Sequence, residues 1–446
     1  MSSKANTIYE IDQAVKFNEP VGPDHLFFTD FSGLRGEFED KIVYRNLNVK
    51  KEDGQYKFHF NTNGGNKTIL FLGGMRGSGK TSELEKYARN LNNSSCFFCV
   101  TCNIDSELDM NDLEYMDILI LQLEQLTKRL AEHDLSIDEG IKKKLQTWFE
   151  ERETEIKKAL KAEIGVEAGV EVGTPFLGLL KIFGKFKTGV TGSSERTTVV
   201  RQNLKNNFIQ FASIFNEFIE ECNVSLRAYN IAQEILFIVD GLEKTMSADT
   251  RKKLIIEEQN RIEKIKAYTI FTLPIELMNE RQNLNQFSSV EAFPFVKLIE
   301  RDGTKNEAAF IKFREFVYKR IDKKLFENED IVNKAISYSG GSPRELLRIL
   351  EMTAFFVDDE FAPIEEKALD KALDRLSKQT AQYITKEMFA KMKEIVENNK
   401  QLRDTQYDAT MQALLEKIYV MEYNSGSYKR INPILELSNL YKQYVQ

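Results

Sequence analysis

Several short runs of consecutive apolar residues have the pattern of buried strands. Residues 68–72 (TILFL) and 235–239 (ILFIV), and the run YTIFT that ends at Thr272, contain apolar residues and threonine without any charge, and the second has β-branched residues at three positions. They lack the alternation of a half-exposed strand, which is typical of parallel strands covered on both faces. Residues 96–102 (CFFCVTC) fit a further core strand. Pro274 ends the third run, because proline cannot donate a ladder hydrogen bond.

Other segments have helical or mixed periodicity. Residues 111–133 repeat apolar positions at i, i+3, i+4 and i+7, which predicts an amphipathic helix. Residues 136–163 are rich in charge and predict a solvent-facing helix. Residues 164–200 alternate small and apolar residues and then show an apolar stripe broken by lysines at 181, 185 and 187. We interpret them as a partly disordered hairpin or loop insertion, with a surface that orders on assembly and a membrane-surface contact as alternatives.

The last third of the chain predicts helices followed by a small hairpin. Residues 301–360 are helical in pattern, and further helices are expected near 366–400. A helix, a strand, a Ser-Gly turn and a second strand ending at Pro433 come next. This order predicts a C-terminal winged helix.

A glycine-rich loop follows the first strand. Gly74, Gly79, Lys80 and Thr81 satisfy G-x-x-x-x-G-K-[ST] between a predicted strand and a predicted helix, the context in which this motif binds phosphates. Glycines let backbone N–H groups close around an anion, and the helix N-terminus adds its own. Lys80 is expected to contact the β- and γ-phosphates and Thr81 to bind Mg²⁺. The predicted loop comprises Gly74, Met75, Arg76, Gly77, Ser78, Gly79, Lys80, Thr81 and Ser82.

Acidic and polar residues end two of the other strands. Asp240 follows residues 235–239 and is the expected partner of Thr81 at the metal, through its water shell. Glu243 is the candidate for polarising the attacking water, and Thr272 for sensing the γ-phosphate. No N-K-x-D guanine-reading motif is present, so ATP is the expected nucleotide.

A second glycine-containing motif opens a later helix. Gly341, Ser342, Pro343 and Arg344 give G-x-x-R, with proline in the first helical turn. The S-G-G signature of ABC ATPases is excluded, because that signature precedes the acidic strand. The sensor-2 interpretation puts Arg344 over the β- and γ-phosphates, where it couples lid position to nucleotide state. The arginine finger stays open among Arg76, Arg281 and Arg320.

The order of these motifs resembles a STAND ATPase, and D-G-L-E from Asp240 to Glu243 is similar to its NACHT branch. Lys244 departs from that branch, which often has a second acid there. The resemblance implies an α/β fold: a parallel-sheet P-loop ATPase core of ASCE/STAND type, within AAA+ in the broad sense, with a helical lid and a C-terminal winged-helix domain. The predicted segments are a leader over 1–60, a core over 61–300 with an insertion at about 120–205, a lid over 301–362 and a winged helix over 363–446.

The resemblance also implies a function. Such proteins are ATPase switches that ADP keeps closed and that ATP and a trigger allow to open and form homo-oligomers. Similar bacterial proteins serve antiviral defence, so the expected partner is a separate effector protein. Two other classes stay open: an origin-recognition-like AAA+ DNA-binding ATPase and a P-loop small-molecule kinase.

Composition narrows the partners. The chain has 446 residues, a net charge of −7 and a mean hydropathy of −0.41. No run of about 20 uncharged apolar residues exists and the N-terminus lacks a signal core, so a cytoplasmic location is expected. The acidic balance argues against a constitutive nucleic-acid binder. Lys429 and Arg430 are candidate phosphate contacts, but Asp408 and Glu416 in the predicted recognition helix would repel DNA.

Three of the four cysteines lie close together in the sequence. Cys96, Cys99 and Cys102 have a spacing that suggests a metal site, but strand alternation puts Cys99 on the face opposite the other two. Buried strand cysteines in a reducing compartment are therefore the favoured interpretation.

Overall fold

A computed structural model describes residues 3–60, 67–160, 176–191, 195–244, 247–284 and 289–446. Its strands are β1 (Val49–Glu52), β2 (Gln55–Phe58), β3 (Ile69–Gly73), β4 (Phe97–Asn103), β5 (Glu234–Asp240), β6 (Tyr268–Leu273), β7 (Ser289–Ala292), β8 (Val420–Tyr423) and β9 (Tyr428–Ile431). Its α-helices are α1 (Ile11–Ala14), α2 (Asp40–Asn46), α3 (Lys80–Asn93), α4 (Ile104–Glu107), α5 (Tyr115–Glu132), α6 (Glu139–Ala159), α7 (Leu177–Val190), α8 (Glu195–Asn206), α9 (Phe208–Ala228), α10 (Ala248–Lys252), α11 (Gln259–Ile262), α12 (Glu307–Arg320), α13 (Glu329–Tyr338), α14 (Pro343–Ala354), α15 (Glu366–Ala381), α16 (Lys386–Lys400), α17 (Ala409–Glu416), α18 (Pro433–Glu436) and α19 (Asn439–Tyr444).

The main sheet has the order β4-β5-β6-β3-β7. β4, β5 and β6 pair in parallel, with Asn103 opposite Asp240 at the ends of β4 and β5. β3, β4, β5 and β6 contain the apolar runs of the sequence, and all residues of β3, β5 and β6 are buried. β6 separates the strand before the glycine-rich loop from the acidic strand, which is the additional strand of the ASCE type. The predicted fold class is confirmed.

The chain divides into two compact units, each with its own apolar core. The first unit comprises Met1–Ile42, Gly73–Tyr87 and Glu291–Gln446, and the second comprises Val43–Leu72 and Ala88–Val290. Phe31, Phe313 and Leu346 lie in the core of the first unit. Phe98 and Phe237 lie in the core of the second. The glycine-rich loop therefore belongs to the same unit as the N-terminal segment, the helical lid and the winged helix.

The segment at 164–200 differs from the expected hairpin or loop wherever it is described. Residues 176–191 form α7, and α8 begins at Glu195; residues 164–175 and 192–194 lie outside the described residues. Leu179, Phe183 and Phe186 are buried in the core of the second unit at helical spacing. The apolar stripe thus packs inside the protein, which argues against membrane contact by these residues. Lys187 forms ion pairs with Glu107 and Glu124.

The helix predicted to face solvent is half-buried. In α6, Leu145, Trp148 and Phe149 are buried, and the Trp148 ring lies 5.4 Å from the Phe211 ring of α9. The sequence pattern has apolar residues at i, i+3 and i+4 among many charges, so the charged face faces water while one narrow stripe packs on the core. The charged face of the predicted helix therefore faces water, whereas the prediction did not include the buried stripe.

The winged helix consists of α15–α17 and the β8–β9 hairpin. β8 and β9 pair antiparallel around a turn at Asn424–Gly426, where the sequence predicts a Ser-Gly turn. The hydroxyl of Tyr423 donates a 2.5 Å hydrogen bond to the carbonyl of Gly340, so the hairpin is fixed to the residues before α14. In the described part of the chain, no helix combines the length and the apolar character that crossing a membrane requires.

Candidate nucleotide-binding site

The glycine-rich loop forms a cradle around the ammonium group of Lys80. β3 ends at Gly73, and α3 begins at Lys80. Gly77 and Gly79 have φ values of +81° and +92°, which L side chains rarely adopt. Lys80 is 4% exposed, and its Nζ donates to the carbonyls of Gly74 (2.8 Å) and Met75 (3.0 Å). The loop therefore curls around a buried positive charge.

The surroundings of the loop fit a bound anion. A Cβ at Gly74 would lie 2.3 Å from the carbonyl oxygen of Phe293, so only glycine fits there. Ser78 is 1% exposed, and its hydroxyl has no hydrogen-bond partner among the described residues. A buried hydroxyl without a partner is costly, and a phosphate oxygen would satisfy it. The curved loop, the buried ammonium group of Lys80 and the unpaired hydroxyl of Ser78 all suit a bound phosphate, the ligand that the motif predicts.

The lid helix contacts this loop directly. Ser342 caps α14, because its hydroxyl accepts a hydrogen bond from the backbone N–H of Glu345, and the same hydroxyl donates to the carbonyl of Gly77 at 3.1 Å. A Cβ at Gly77 would lie 3.0 Å from Cβ of Arg344. The structure thus places the G-x-x-R motif against the phosphate-binding loop, within one compact unit.

Arg344 lies beside a second arginine of the loop. Burial lowers the pKa of the Arg344 guanidinium, and the nearby positive charge of Arg76 lowers it further. Arg344 also donates a hydrogen bond to the side chain of Asn18, and its guanidinium lies 5.9 Å from the Phe17 ring centre. Because the two positive charges repel each other, an anion bound near both would be favoured.

Arg35 lies beside the glycine-rich loop, although no sequence motif predicted it there. It is 3% exposed, and its Nη2 lies 3.3 Å from the position a Cβ would take at Gly79. Its Nη1 donates to the carbonyl of Pro294 at 2.8 Å, and the guanidinium lies 4.0 Å from the Phe293 ring centre. Its Nε has no hydrogen-bond partner among the described residues. Burial lowers the pKa of Arg35, while Glu83 raises it.

A polar network fixes the N-terminal segment to the start of α3. Nζ of Lys86 contacts Asp40 (2.7 Å) and Asp30 (3.3 Å), and it also pairs with Glu83. The hydroxyl of Tyr87 donates to Asp40 at 2.9 Å. Residues of the leader therefore hold the helix that follows the glycine-rich loop.

The acidic strand of the second unit ends in a tight, hydrogen-bonded turn. Asp240 is 2% exposed, and its Oδ1 accepts from the backbone N–H of Gly241 at 2.9 Å. The hydroxyl of Thr272 accepts from the same N–H at 3.1 Å. Gly241 has a φ of +102°, and a Cβ there would lie 3.3 Å from the backbone nitrogen of Asp105. Any L side chain directly after Asp240 would be strained in this turn, so the position suits glycine.

Glu243 lies in a 3-10 turn at Leu242–Lys244 and is half-buried. Its Oε2 is buried and has no hydrogen-bond partner among the described residues. Nζ of Lys244 forms a 2.6 Å ion pair with Asp105. Lys244, which stands where the NACHT branch often has a second acid, therefore forms an ion pair within the second unit.

One of the three arginine-finger candidates is structural. Arg320 is 3% exposed and donates to the carbonyls of Phe27 and Phe316, and burial lowers its pKa to about 9. Its guanidinium lies 3.9 Å from the Phe316 ring centre, so it cannot reach another subunit. Arg76 is exposed, and the side chain of Arg281 lies outside the described residues.

All four cysteines are buried free thiols in the second unit. Burial raises the pKa of Cys99 to about 12. Among the described residues, no group of three or more potential metal ligands occurs.

Two basic side chains of the winged helix, Lys429 and Lys391, pair with acids of the same domain. Nζ of Lys429 donates to the carbonyl of Gly426 at 2.6 Å and lies 3.6 Å from Glu422. Lys391 pairs with Asp408 at 2.8 Å. In these ion pairs the lysine charges are balanced by neighbouring acids, so they are less available to contact DNA phosphates.

No family model and no curated protein matches the sequence. Among solved structures, the chain is similar to a Walker-type ATPase of Pyrococcus abyssi (13% identity, 92% of this chain and 98% of that chain covered, TM-score 0.36). It is also similar to Drosophila ORC bound to DNA (12%, 100% and 92% covered, TM-score 0.39). A third similar structure is Cdc6p of Pyrobaculum aerophilum (12%, 96% and 100% covered, TM-score 0.35).

Proposed function

We propose that the chain is an ATP-binding switch of the P-loop ATPase type, in which the lid helix responds to the nucleotide. The contact between Ser342 and Gly77 carries the proposal, since it joins the G-x-x-R helix to the loop around Lys80. Any phosphate that enters this loop must change the surroundings of Gly77 and of Arg344. Nucleotide binding and lid position are therefore expected to be coupled.

The chain's own residues have separate roles in this proposal. Lys80 moves from the loop carbonyls to the β- and γ-phosphates, Ser78 donates its hydroxyl, and Arg344 balances phosphate charge from the lid. Thr81 and Asp240 would hold Mg²⁺, which neutralises charge on the phosphate oxygens when bound. Glu243 would orient the attacking water, and hydrolysis is expected to be slow. Thr272 is proposed to sense the γ-phosphate through the Gly241 N–H that it accepts from.

We further propose, from the STAND resemblance alone, that ATP permits homo-oligomerisation and control of a separate effector protein, as in bacterial antiviral defence. In ADP, the lid and the winged helix would stay closed. The hydrogen bond from Tyr423 to Gly340 is consistent with a closed arrangement within the first unit.

A titration with fluorescent ATP and ADP tests the binding step. We expect the wild-type protein to bind both with Mg²⁺ and unlabelled GTP to compete poorly. Lys80→Ala should abolish binding, whereas Lys417→Ala, which changes an exposed lysine of the winged helix, should leave it unchanged. Equal binding by Lys80→Ala and the wild type would overturn the proposal. Mass photometry with ADP, ATP and Glu243→Gln then reports assembly.

The DNA-binding alternative makes a different prediction. An origin-recognition-like ATPase would bind duplex DNA with an affinity that falls steeply with salt, because counterions are released. The internal pairing of Lys429 and Lys391 argues against it. A duplex that binds at low salt and dissociates as salt is raised would favour this alternative over the switch.

A further inference from the structure

A groove of about 530 Å³ opens on the first unit, at the far end of α14 from the glycine-rich loop. The 3-10 turn at Ile8–Glu10 and α1 form one wall, and the end of α14 and the residues after it form the other. Its lining includes Ile8, Tyr9, Asp12, Glu351, Phe355 and Arg375. The volume is in the range that holds one or two large side chains.

Large aromatic side chains of the groove face water. Tyr9 is 62% exposed and Phe355 is 70% exposed. The position of Tyr9 is held by hydrogen bonds, because the backbone N–H of Ile8 donates to the carbonyl of Glu360 at 3.0 Å and the Tyr9 hydroxyl donates to that of Asp358. Preformed, exposed aromatic surface of this kind is typical of contact sites for other proteins.

The groove is also negatively charged. Asp12 and Glu351 both line it, and neither forms an ion pair among the described residues. Burial and the charge of Asp12 raise the pKa of Glu351, as expected for two carboxylates that no cation balances. Three further acids, at 358–360, follow along the chain. The basic residue in the lining is Arg375, whose guanidinium lies 5.3 Å from the Phe355 ring centre.

We propose that this groove binds a segment of a partner protein in which a lysine or arginine lies beside large apolar side chains. The apolar side chains would cover Tyr9 and Phe355, and the cation would lie between Asp12 and Glu351. A second copy of the chain is a less suitable occupant, because the described basic-apolar segment, α7, has its apolar face buried. This inference goes beyond nucleotide binding and does not depend on it.

The same two segments, α14 and the N-terminal segment, contribute residues to the groove and contact the glycine-rich loop or Arg344. α14 carries Glu351 at one end and Ser342 and Arg344 at the other, and the N-terminal segment carries Asp12 in the groove and Asn18 against Arg344. A partner that shifts either wall therefore shifts the contacts of Arg344. Linkage requires the reverse effect of nucleotide on the partner.

Fluorescence anisotropy with the full chain at physiological salt tests the proposal. The probe is a labelled 15-residue amphipathic peptide of leucine, tryptophan and lysine, and its twin has glutamate in place of each lysine. We expect the lysine peptide to bind at least about ten-fold more tightly, and the pair Asp12→Asn/Glu351→Gln to weaken it about ten-fold. Phe355→Ala should weaken binding similarly. Equal binding of both peptides would overturn the proposal.

Matched variants distinguish binding in the groove from non-specific binding of the peptide to exposed charges or aromatic side chains. Tyr383→Ala removes an aromatic residue that is 68% exposed elsewhere in the unit, and Asp374→Asn/Glu387→Gln removes two exposed charges of α15 and α16. Both should bind the lysine peptide like the wild type, and loss in either would contradict the proposal. Sedimentation velocity tests whether a second copy of the chain occupies the groove. If the wild-type protein forms an oligomer and the Phe355→Ala variant does not, the proposal of a separate partner protein is overturned. Circular dichroism confirms that each variant is folded.

Discussion

The hydroxyl of Ser342 lies 3.1 Å from the main-chain carbonyl of Gly77 and donates a hydrogen bond to it. The same hydroxyl caps α14, so one side chain sets both the start of the lid helix and its contact with the phosphate-binding loop. A lid that moved away from the loop would lose this bond. Replacing Ser342 removes the cap and the loop contact together, so a control variant at another N-cap is needed to tell the two effects apart.

Ser342→Ala should destabilise the protein and also change nucleotide affinity. Loss of an N-cap costs about 1 kcal/mol. Thr385→Ala is the matched control. Thr385 caps α16, because its hydroxyl accepts a hydrogen bond from the backbone N–H of Met388, and its side chain is exposed to solvent. We expect similar losses in denaturant melts of the two variants, but a change in ATP affinity only for Ser342→Ala. The same ATP affinity in both would contradict a role of the lid contact.

Arg344→Ala should weaken ATP binding more than ADP binding, because a sensor over the β- and γ-phosphates loses most when the γ-phosphate is present. The expected loss for ATP is about ten-fold, from one charge-assisted contact of roughly 1.5 kcal/mol. Arg348→Ala is the control, since Arg348 lies one turn further along α14 and pairs with Glu345. Equal effects of the two variants in fluorescent-nucleotide titrations would refute the sensor role.

Glu243→Gln should retain ATP binding and slow hydrolysis at least about a hundred-fold, as loss of a general base does. It should also favour the assembled state. Phosphate release over hours measures the rate, and Glu263→Gln, at an exposed position, should hydrolyse like the wild type. If Glu243→Gln hydrolyses ATP normally, another residue polarises the water.

Gly241→Ala should destabilise the protein more than Gly303→Ala. Both glycines have positive φ (+102° and +88°), so each substitution strains the backbone by about 1–3 kcal/mol. Only Gly241 also has close neighbours, since Asp105 lies 3.2–3.3 Å from the Cβ position, whereas nothing lies within 4 Å at Gly303. Urea melts followed by circular dichroism compare them, and equal losses would contradict the close approach.

Glu422→Gln should stabilise the protein at neutral pH. Burial raises the pKa of Glu422 above its ordinary value, although Lys429 lies 3.6 Å away. An acid whose pKa is higher in the folded state contributes most stability below its unfolded pKa, and it loses that contribution as the pH rises towards the folded pKa. The melting temperature of the variant should therefore exceed that of the wild type at pH 7 and equal it near pH 4. A less stable variant at pH 7 would contradict this.

Local pattern was sufficient for the elements that bear the motifs. The apolar runs predict β3, β5 and β6, and the helix predicted after the glycine-rich loop is observed from Lys80. Pro343 predicts the start of α14, because a proline in the first helical turn acts locally; the cap by Ser342 is seen in the structure. Such signals depend on neighbours in sequence and do not need the tertiary fold.

The features that sequence pattern missed depend on distant partners. Glycines at 178, 184 and 189 obscure the helical period of α7, and its helicity follows from packing against the core of the second unit. Arg35 reaches Gly79 only because the leader folds back onto the start of α3. Arg320 is buried against phenylalanine rings, where a basic residue on a helix is ordinarily expected in water.

The burial of the cysteines gives the protein an internal reporter. Every thiol of the chain lies in the second unit, and none is accessible in the folded state. A maleimide can therefore react only when that unit opens, and the labelling rate measures its opening free energy without any engineered probe. The labelling rates with and without a nucleotide then report whether that ligand also slows the opening of the second unit.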